Sequence, residues 1–187
     1  KRKDVWVDTY YKNWKFLNKY TDFRWQKTLK RMNRRKNAYI NHYGLGEGLS
    51  IQYGVTLIAE HFNVGEIKCG KRVLLARNVD IDYTGGITFG NGVELAEGVK
   101  VLTHNHDFFG MVDYGLIVHE AVRAYLTPLV IAANVFIGAH SVIMPGVNRI
   151  GKNAMIAPGS VVMEEVPPNT IFSGNPAKKV GKLPRVY

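Results

Sequence analysis

The chain of 187 residues has room for one domain of ordinary size and too few residues for two. A hydrophobic content of 46% excludes a disordered chain. The sequence contains no run of 18 uninterrupted apolar residues, so no membrane-spanning helix is predicted. The single cysteine, Cys69, excludes an internal disulfide and indicates a reducing compartment. We therefore expect a cytoplasmic globular protein.

The positive charge is concentrated at the N-terminus. Residues 1–40 contain 13 lysines and arginines against three aspartates, whereas the other 147 residues contain 12 basic and 12 acidic side chains. Trp6, Tyr10 and Trp14 recur at helical spacing, so residues 1–45 are expected to form a basic helical arm. We expect the arm to pack on the body or on a neighbouring subunit. Peripheral membrane association is the alternative, and no motif accompanies the charge that would read nucleic acid.

From about Ile51 onward the helical spacing disappears, and apolar anchor residues recur every six positions. An anchor usually followed by Gly or Ala is typical of short strands that point one side chain into a narrow core. Gly or Asn stands three positions after seven of the twelve anchors, where it supplies the left-handed backbone conformation of a sharp corner. The pattern predicts a β-solenoid in which three hexads form one triangular coil. The anchors are Cys69, Leu75, Ile81, Phe89, Leu95, Val101, Ile131, Ile137, Ile143, Ile150, Ile156 and Val162.

The interruptions of this repeat fall after every third anchor. Steps longer than six residues follow Ile81, Val101 and Ile143, and the longest step contains the segment 102–128. If three hexads close one coil, all insertions leave the solenoid at the same corner, because insertions at a corner do not interrupt the ladder of strands. Residues 82–86, the segment 102–128 and residues 148–149 are therefore expected to stack near one another.

The chain is expected to divide into three parts. Residues 1–45 form the arm, residues 46–166 form the solenoid with its extended loop 102–128, and residues 167–187 form a terminal cap. Pro167 and Pro168 cannot continue a central strand, which is why we end the solenoid before them.

The extended loop opens with the residues most suited to chemistry. His104 and His106 stand beside Asp107, on a loop that a rigid scaffold holds in place, and such a site is where a general base is expected. Solvent-exposed loop histidines are the alternative. The stacked corner favours the functional interpretation, because it places Asp82 one coil away.

These residues resemble a known family, the hexapeptide-repeat O-acetyltransferases. The resemblance is closest to galactoside and maltose acetyltransferases and their relatives in surface-polysaccharide biosynthesis. It is carried by the hexads and by the segments 103–107, 134–138, 145–147, 166–169 and 174–178. The resemblance implies a mainly β fold, a left-handed parallel β-helix with the N-terminal helical arm and C-terminal cap. It also implies a homotrimer with acetyl-CoA bound between subunits, and transfer of acetyl to a hydroxyl of a sugar or saccharide.

The resemblance assigns roles to individual residues. The catalytic base is expected at His106, five residues beyond the anchor Val101, with His104 as the second choice. The backbone amide of Ala139 is expected to stabilise the oxyanion, and Asn78 is expected near the acceptor. Asp82 is placed near the acceptor by the stacked corner. Residues expected to contact the cofactor are Phe136, Gly138, Ala139, Ala157, Pro158, Lys178 and Lys179.

Other functions are weighed against this one. A xenobiotic or an amino-acid hydroxyl is an alternative acceptor. A zinc enzyme similar to the gamma-class carbonic anhydrases uses the same scaffold, but that family has two histidines five residues apart and this chain has no such pair, so no metal is expected. A non-catalytic trimeric scaffold is the remaining alternative.

Overall fold

The structure, a computed structural model, describes residues 30, 34, 37, 38, 40–42, 49–59, 65–106 and 124–183. Residues 30, 34, 37, 38 and 40–42 are helical. The aromatic stripe of the predicted arm lies outside the described residues. Within those residues, no helix combines the length and apolar character needed to cross a membrane. The chain divides into two compact units, residues 1–38 and residues 39–187.

Apart from helical residues 40–42, the described part of the second unit consists of short β-strands joined by tight corners. Most strands have only two or three residues, as the hexad repeat requires. The described strands are β1 (Ser50–Ile51), β2 (Thr56–Ile58), β3 (Ile67–Cys69), β4 (Leu74–Leu75), β5 (Asp80–Asp82), β6 (Ile87–Phe89), β7 (Glu94–Leu95), β8 (Lys100–Val101), β9 (His104–His106), β10 (Ala124–Leu126), β11 (Leu129–Ile131), β12 (Phe136–Ile137), β13 (Val142–Ile143), β14 (Arg149–Ile150), β15 (Met155–Ile156), β16 (Val161–Val162), β17 (Thr170–Gly174) and β18 (Ala177–Lys182).

The strands stack into three parallel sheets, which form the faces of a solenoid. The first face has the order β1-β4-β7-β12-β15-β17, the second β16-β13-β8-β5-β2, and the third β14-β11-β6-β3. Consecutive coils pair in register: Ile81 stands beside Val101, and Val101 beside Ile143. The predicted coil of three hexads is confirmed.

The core contains two inward positions in most hexads; in the hexad of Ile150, the position two residues before the anchor holds the exposed Asn148. All anchors from Leu75 to Val162 are buried, whereas Cys69 is only partly buried because β3 is the edge strand of its sheet. The second position, two residues before the anchor, holds Val79, Val99 and Val135 among others, and these are also buried. Side chains two residues apart on a strand share a face, so both positions point inward. The sequence analysis identified only the anchors.

The corners have the backbone conformation that the repeat predicts. Asn78, Asn134 and Asn153 have φ angles of 55°, 57° and 56°, in the left-handed region. His140 occupies the same corner position with a φ of 57°. A Cβ atom on Gly98 would lie 2.4 Å from Nδ1 of His140, so the imidazole packs over a glycine of the preceding coil.

One corner carries all the insertions, as predicted. Connectors between the first and second faces, and between the third and first, are each four residues long. Connectors between the second and third faces are residues 59–66, 83–86, 102–128 and 144–148, and we call this edge the insertion corner. Asn148 lies in this corner, but Arg149 begins β14 on the third face instead.

The C-terminal end is closed by an antiparallel hairpin. β17 adds to the first face beside β15, and β18 pairs with β17 in the antiparallel direction. Val166 forms a bridge with Ile150 and is buried, so the segment before the hairpin extends the third face by one position.

Candidate active site

The extended loop leaves the solenoid through a short hairpin at the insertion corner. β9 and β10 pair in the antiparallel direction, with His104 opposite Leu126 and His106 opposite Ala124. Just below this ladder, the amide of Thr127 donates to the carbonyl of Thr103 over 2.8 Å. The exit and the return of the loop are therefore joined where they meet the solenoid.

A buried pair of polar side chains lies at the base of this hairpin. Nδ1 of His104 is 2.7 Å from Oδ2 of Asp82, which belongs to the preceding coil. The side chains of His104 and Asp82 are 7% and 10% exposed. The sequence analysis expected these residues to be near each other, and the structure places them in direct contact.

The Asp82 carboxylate accepts hydrogen bonds from two more residues. Oδ1 accepts from the amide of Thr84 over 2.9 Å and also from the Thr84 hydroxyl. Oδ2 accepts from the amide of Thr103 over 2.8 Å. Burial raises the pKa of this carboxyl, but the hydrogen bonds from Thr84, Thr103 and His104 outweigh burial and hold the pKa below its usual range. Asp82 is therefore ionised at neutral pH.

The ionised carboxylate decides where the His104 proton lies. A carboxylate can only accept, so Nδ1 of His104 must carry the hydrogen in this contact. His106 lies two positions further along β9, where its backbone pairs with Ala124. Its side chain lies outside the described part of the chain, so its assignment as the base stays a prediction.

Asn78 lies at a different corner from Asp82 and His104. It occupies the connector between the first and second faces, and β5 runs from there to Asp82. A Cβ atom on Gly54 would lie 2.1 Å from Oδ1 of Asn78, so this side chain packs against the preceding coil. Its predicted contact with an acceptor stays a prediction.

The residues predicted to contact the cofactor cluster along the first face and its corner with the second. Gly138 is tightly packed there, since a Cβ atom on it would lie 2.5 Å from the nitrogen of Pro158. The Gly138 amide donates to the carbonyl of Ile156 over 2.9 Å, and the Ala139 carbonyl accepts from Gly159 over 2.8 Å. Among the described residues, the Ala139 amide has no acceptor, which is the arrangement an oxyanion donor needs.

The remaining cofactor candidates lie on the first face itself. Phe136 is half-buried on β12, beside Met155 of the next coil. Lys178 and Lys179 are exposed on β18, the last strand of that face. Nζ of Lys178 lies 2.9 Å from Oε2 of Glu164, so its charge is partly neutralised within the chain.

Cys69 lies in the first described coil of the third face, beside the insertion corner. It lines an open cavity of about 670 Å³ together with His42, Glu66, Lys68 and Tyr83. Burial raises the pKa of its thiol to about 11, so the neutral thiol predominates at pH 7. In the described ranges of the chain, no group of three or more His, Cys, Asp and Glu side chains is arranged to hold a metal ion.

The sequence analysis assigned no hydrogen bonds to Thr84 and Thr103, the two threonines that complete the site. Thr84 and Thr103 are fully buried, and the Thr103 hydroxyl donates to the Asp82 carbonyl over 3.0 Å while it accepts from the Gly85 amide over 2.8 Å. Thr127 accepts a hydrogen bond from the Gly146 amide over 3.1 Å, which ties the return of the loop to the next coil. The available signal was the presence of threonine near corners where other coils have glycine or asparagine.

Comparison with known proteins shows which proteins are similar to this chain in sequence and fold. The chain is 33% identical over 130 residues to galactoside O-acetyltransferase of Escherichia coli K12, a match that covers 66% of this chain and 58% of that enzyme. The match therefore spans less than two thirds of the relative. No family model matches the chain.

Solved structures of acyltransferases also superimpose on this chain. A hexapeptide-repeat acetyltransferase from Vibrio cholerae superimposes with a TM-score of 0.67 and 26% identity, covering 82% of each chain. Another crystal structure, of the hexapeptide-repeat acetyltransferase from the El Tor biovar of V. cholerae O1, is a complex with acetyl-coenzyme A. AntD, an N-acyltransferase from Bacillus cereus, superimposes with a TM-score of 0.64 at 23% identity, covering 75% of this chain and 72% of AntD.

These comparisons confirm the resemblance seen in the sequence. The fold is the left-handed parallel β-helix of hexapeptide-repeat acetyltransferases, as predicted. Galactoside O-acetyltransferase of Escherichia coli is one named enzyme to which this chain is similar.

Proposed function

We propose that the protein is an acetyltransferase that moves an acetyl group from acetyl-CoA to a hydroxyl of a sugar or saccharide. The observation that carries the proposal is strand β9, which contains His104 and His106 and is held by the His104–Asp82 contact to a solenoid like that of a solved hexapeptide-repeat acetyltransferase. The acetyl-CoA complex of the Vibrio protein supports the donor, and the E. coli relative supports a sugar acceptor. An amine acceptor is the second candidate, because AntD is an N-acyltransferase.

The proposed chemistry is a direct transfer. An alcohol is a poor nucleophile at neutral pH, so His106 accepts the hydroxyl proton as the oxygen attacks the thioester carbonyl, which contributes about 10²–10⁴ in rate. The Ala139 amide stabilises the developing oxyanion. As the carbon–sulfur bond breaks, the imidazolium returns the proton to the CoA sulfur. No group on the enzyme is acylated.

The proposed site requires two subunits. β9 projects at the insertion corner, whereas Ala139 and Gly138 lie at the corner between the first and second faces. A strand of the second face separates these corners within one chain. We therefore propose a homotrimer in which His106 of one subunit faces the acetyl-CoA held by its neighbour.

A mixing experiment tests this arrangement. His106→Ala removes the base, and Phe136→Asp places a charge where the cofactor is expected to pack. Co-expression of the two inactive chains gives mixed oligomers in which some interfaces combine an intact base with an intact cofactor surface. Recovery of turnover supports a shared site, and its absence in verified mixed oligomers contradicts it.

The activity itself is tested by a screen of acceptors with acetyl-CoA. Release of the CoA thiol is followed for sugars, oligosaccharides, serine, hydroxylated antibiotics and amines. We expect turnover with a saccharide, and a loss of about 10²–10⁴ in kcat for His106→Ala, the range for general-base assistance. His42→Gln, a histidine change outside strand β9 and outside the proposed cofactor surface, serves as the matched control and should retain activity.

Three results would contradict the proposal. Turnover with amines and none with hydroxyls would change the acceptor class. Full activity of His106→Ala would remove His106 as the base. Failure of acetyl-CoA to raise the melting temperature, together with no turnover, would favour the non-catalytic scaffold.

A further inference from the structure

The Asp82 carboxylate has no acceptor position left for a substrate. A carboxylate has about four lone-pair sites, and here each oxygen accepts two hydrogen bonds, from Thr84, Thr103 and His104. All four donors belong to the same chain, and the carboxylate is 10% exposed. An acceptor hydroxyl could bind Asp82 only by displacing one of these donors. The contacts therefore favour a structural role for Asp82 within the chain over a role in binding the acceptor.

The hydrogen bonds of Asp82 converge on the point where the chain leaves the solenoid. Asp82 receives the Thr103 amide through Oδ2 and the Thr103 hydroxyl through its carbonyl. The next residue, His104, is held by the same carboxylate oxygen. Thr127, just after the returning strand β10, is bonded to Thr103. The start of β9 is thus fixed to the preceding coil by the side chain of His104 and by the backbone of Thr103.

The fixed residue stands two positions before the predicted base. β9 continues from His104 to His106 as part of the same ladder with β10. A general base must lie within hydrogen-bond reach of the proton that it accepts, and a misplacement of about 1 Å can cost roughly 100-fold in rate. The contacts that hold His104 therefore set the position of His106, on which its reach to the acceptor proton depends.

We propose that Asp82 and His104 form a positioning pair, which holds β9 so that His106 stays in reach of the acceptor hydroxyl. The proposal rests on the proposed acetyl transfer. It assigns His104 a role that uses its Nδ1–H as a donor to Asp82, and it assigns neither residue a contact with substrate.

Substitutions at His104 separate positioning from catalysis. Asparagine carries an N–H donor close to where Nδ1 stands, but it cannot act as a base as imidazole does. We expect His104→Asn to keep kcat within about fivefold of wild type, and His104→Ala to lose about 10–100-fold, the range for a displaced base. In both variants KM for acetyl-CoA should stay within about twofold, because the cofactor residues lie at another corner.

Asp82 has a matched control on the same strand. Asp82→Asn replaces a carboxylate oxygen, which accepts, by an amide nitrogen, which donates, at a position that faces four hydrogen-bond donors. We therefore expect kcat to fall about 10–100-fold at unchanged KM for acetyl-CoA. Asp80, two residues earlier, is exposed and paired with Lys100 over 2.7 Å. Asp80→Asn removes the same charge and should leave kcat unchanged. If Asp82→Asn does not fold, the two His104 variants decide the question.

The results distinguish this inference from the proposed function. An active wild type, an inactive His106→Ala, and a His104→Asn as inactive as His104→Ala would overturn the positioning role, because the N–H donor of asparagine would then not replace the imidazole. Unchanged kcat in Asp82→Asn or His104→Ala would also overturn it. A wild type without any transferase activity would overturn the proposed function, and the positioning role with it. If kcat of His104→Asn stays close to wild type while His104→Ala, Asp82→Asn and His106→Ala lose activity, the results support both the proposed function and the positioning role.

Discussion

The Lys178 ammonium group already has an anionic neighbour, Glu164, 2.9 Å away and exposed to solvent. If Lys178 meets the cofactor phosphates, Glu164 competes with them for the same charge. An exposed ion pair is worth about 0.2–1 kcal/mol, so we expect Glu164→Gln to lower KM for acetyl-CoA by at most about fivefold. Steady-state kinetics at low salt measure the effect. Glu66→Gln breaks a comparable exposed pair with Lys68, 3.1 Å long, and should leave KM unchanged. Equal KM values for wild type and Glu164→Gln would remove Lys178 from the cofactor site.

The Cys69 thiol offers a second test at the scale of one residue. Its pKa is raised to about 11 by burial, against about 8.5 for a free cysteine. At pH 8 the thiolate fraction is therefore lower by roughly 200-fold, and we expect alkylation by iodoacetamide to slow in proportion. Mass spectrometry of the native and the urea-unfolded protein compares the two rates. Similar rates in both states would show that burial does not protect the thiol.

At the scale of elements, the turn between β5 and β6 is packed against the base of the loop. A Cβ atom on Gly85 would lie 2.2 Å from the Thr103 carbonyl oxygen and 2.8 Å from the Thr127 nitrogen. Gly85→Ala must therefore displace the backbone that holds the hairpin, at a cost of about 1–3 kcal/mol. We expect a lower melting temperature and a lower kcat. Gly181→Ala meets only a flexible Ile171 side-chain carbon at 3.4 Å and should leave both quantities unchanged. Equal behaviour of the two variants would contradict the packing argument.

The regular elements were predictable from the sequence because every coil repeats the same physical problem. An anchor such as Ile137 must fill the core and a residue such as Asn134 must turn the corner, so the pattern recurs and can be read. The second inward column was harder to recognise because its Val, Ile and Leu members are interrupted by small polar residues such as Ser141, which is fully buried. Their period of six is therefore less visible than that of the anchors.

The active-site elements were predictable only in part, because the insertions leave the repeat. The position of the insertion corner follows from counting hexads, and so does the proximity of Asp82 to the loop. The direct contact of Asp82 with His104 depends on the hairpin of β9 and β10 and on the turn at Thr84. Neither the hairpin nor the turn belongs to the repeat, so the repeat does not predict them. The choice of base between His104 and His106 depends on side-chain geometry, which the spacing of residues in the sequence does not give.

At the scale of the whole molecule, Asp82 links the stability of the solenoid to pH. Its folded-state pKa lies below the unfolded value of about 4, so its contribution to the free energy of unfolding is fully present above pH 4. That contribution is lost as the pH falls through the lower folded-state pKa. Wild type should therefore exceed Asp82→Asn in stability at pH 7, and the difference should shrink as the pH falls below about 4.

Urea unfolding of both proteins at fixed protein concentration measures this difference, because association would otherwise change the apparent stability. Asp80 also has a lowered pKa, caused first by the hydrogen bond from Lys100 and then by that from Thr56, but its carboxylate is exposed and water screens the interaction. Asp80→Asn should accordingly lose less stability at pH 7 than Asp82→Asn. A difference between wild type and Asp82→Asn that stays constant from pH 7 to pH 2 would mean that the buried carboxylate does not titrate with unfolding. The hydrogen bonds that tie the loop to the solenoid would then not depend on its charge.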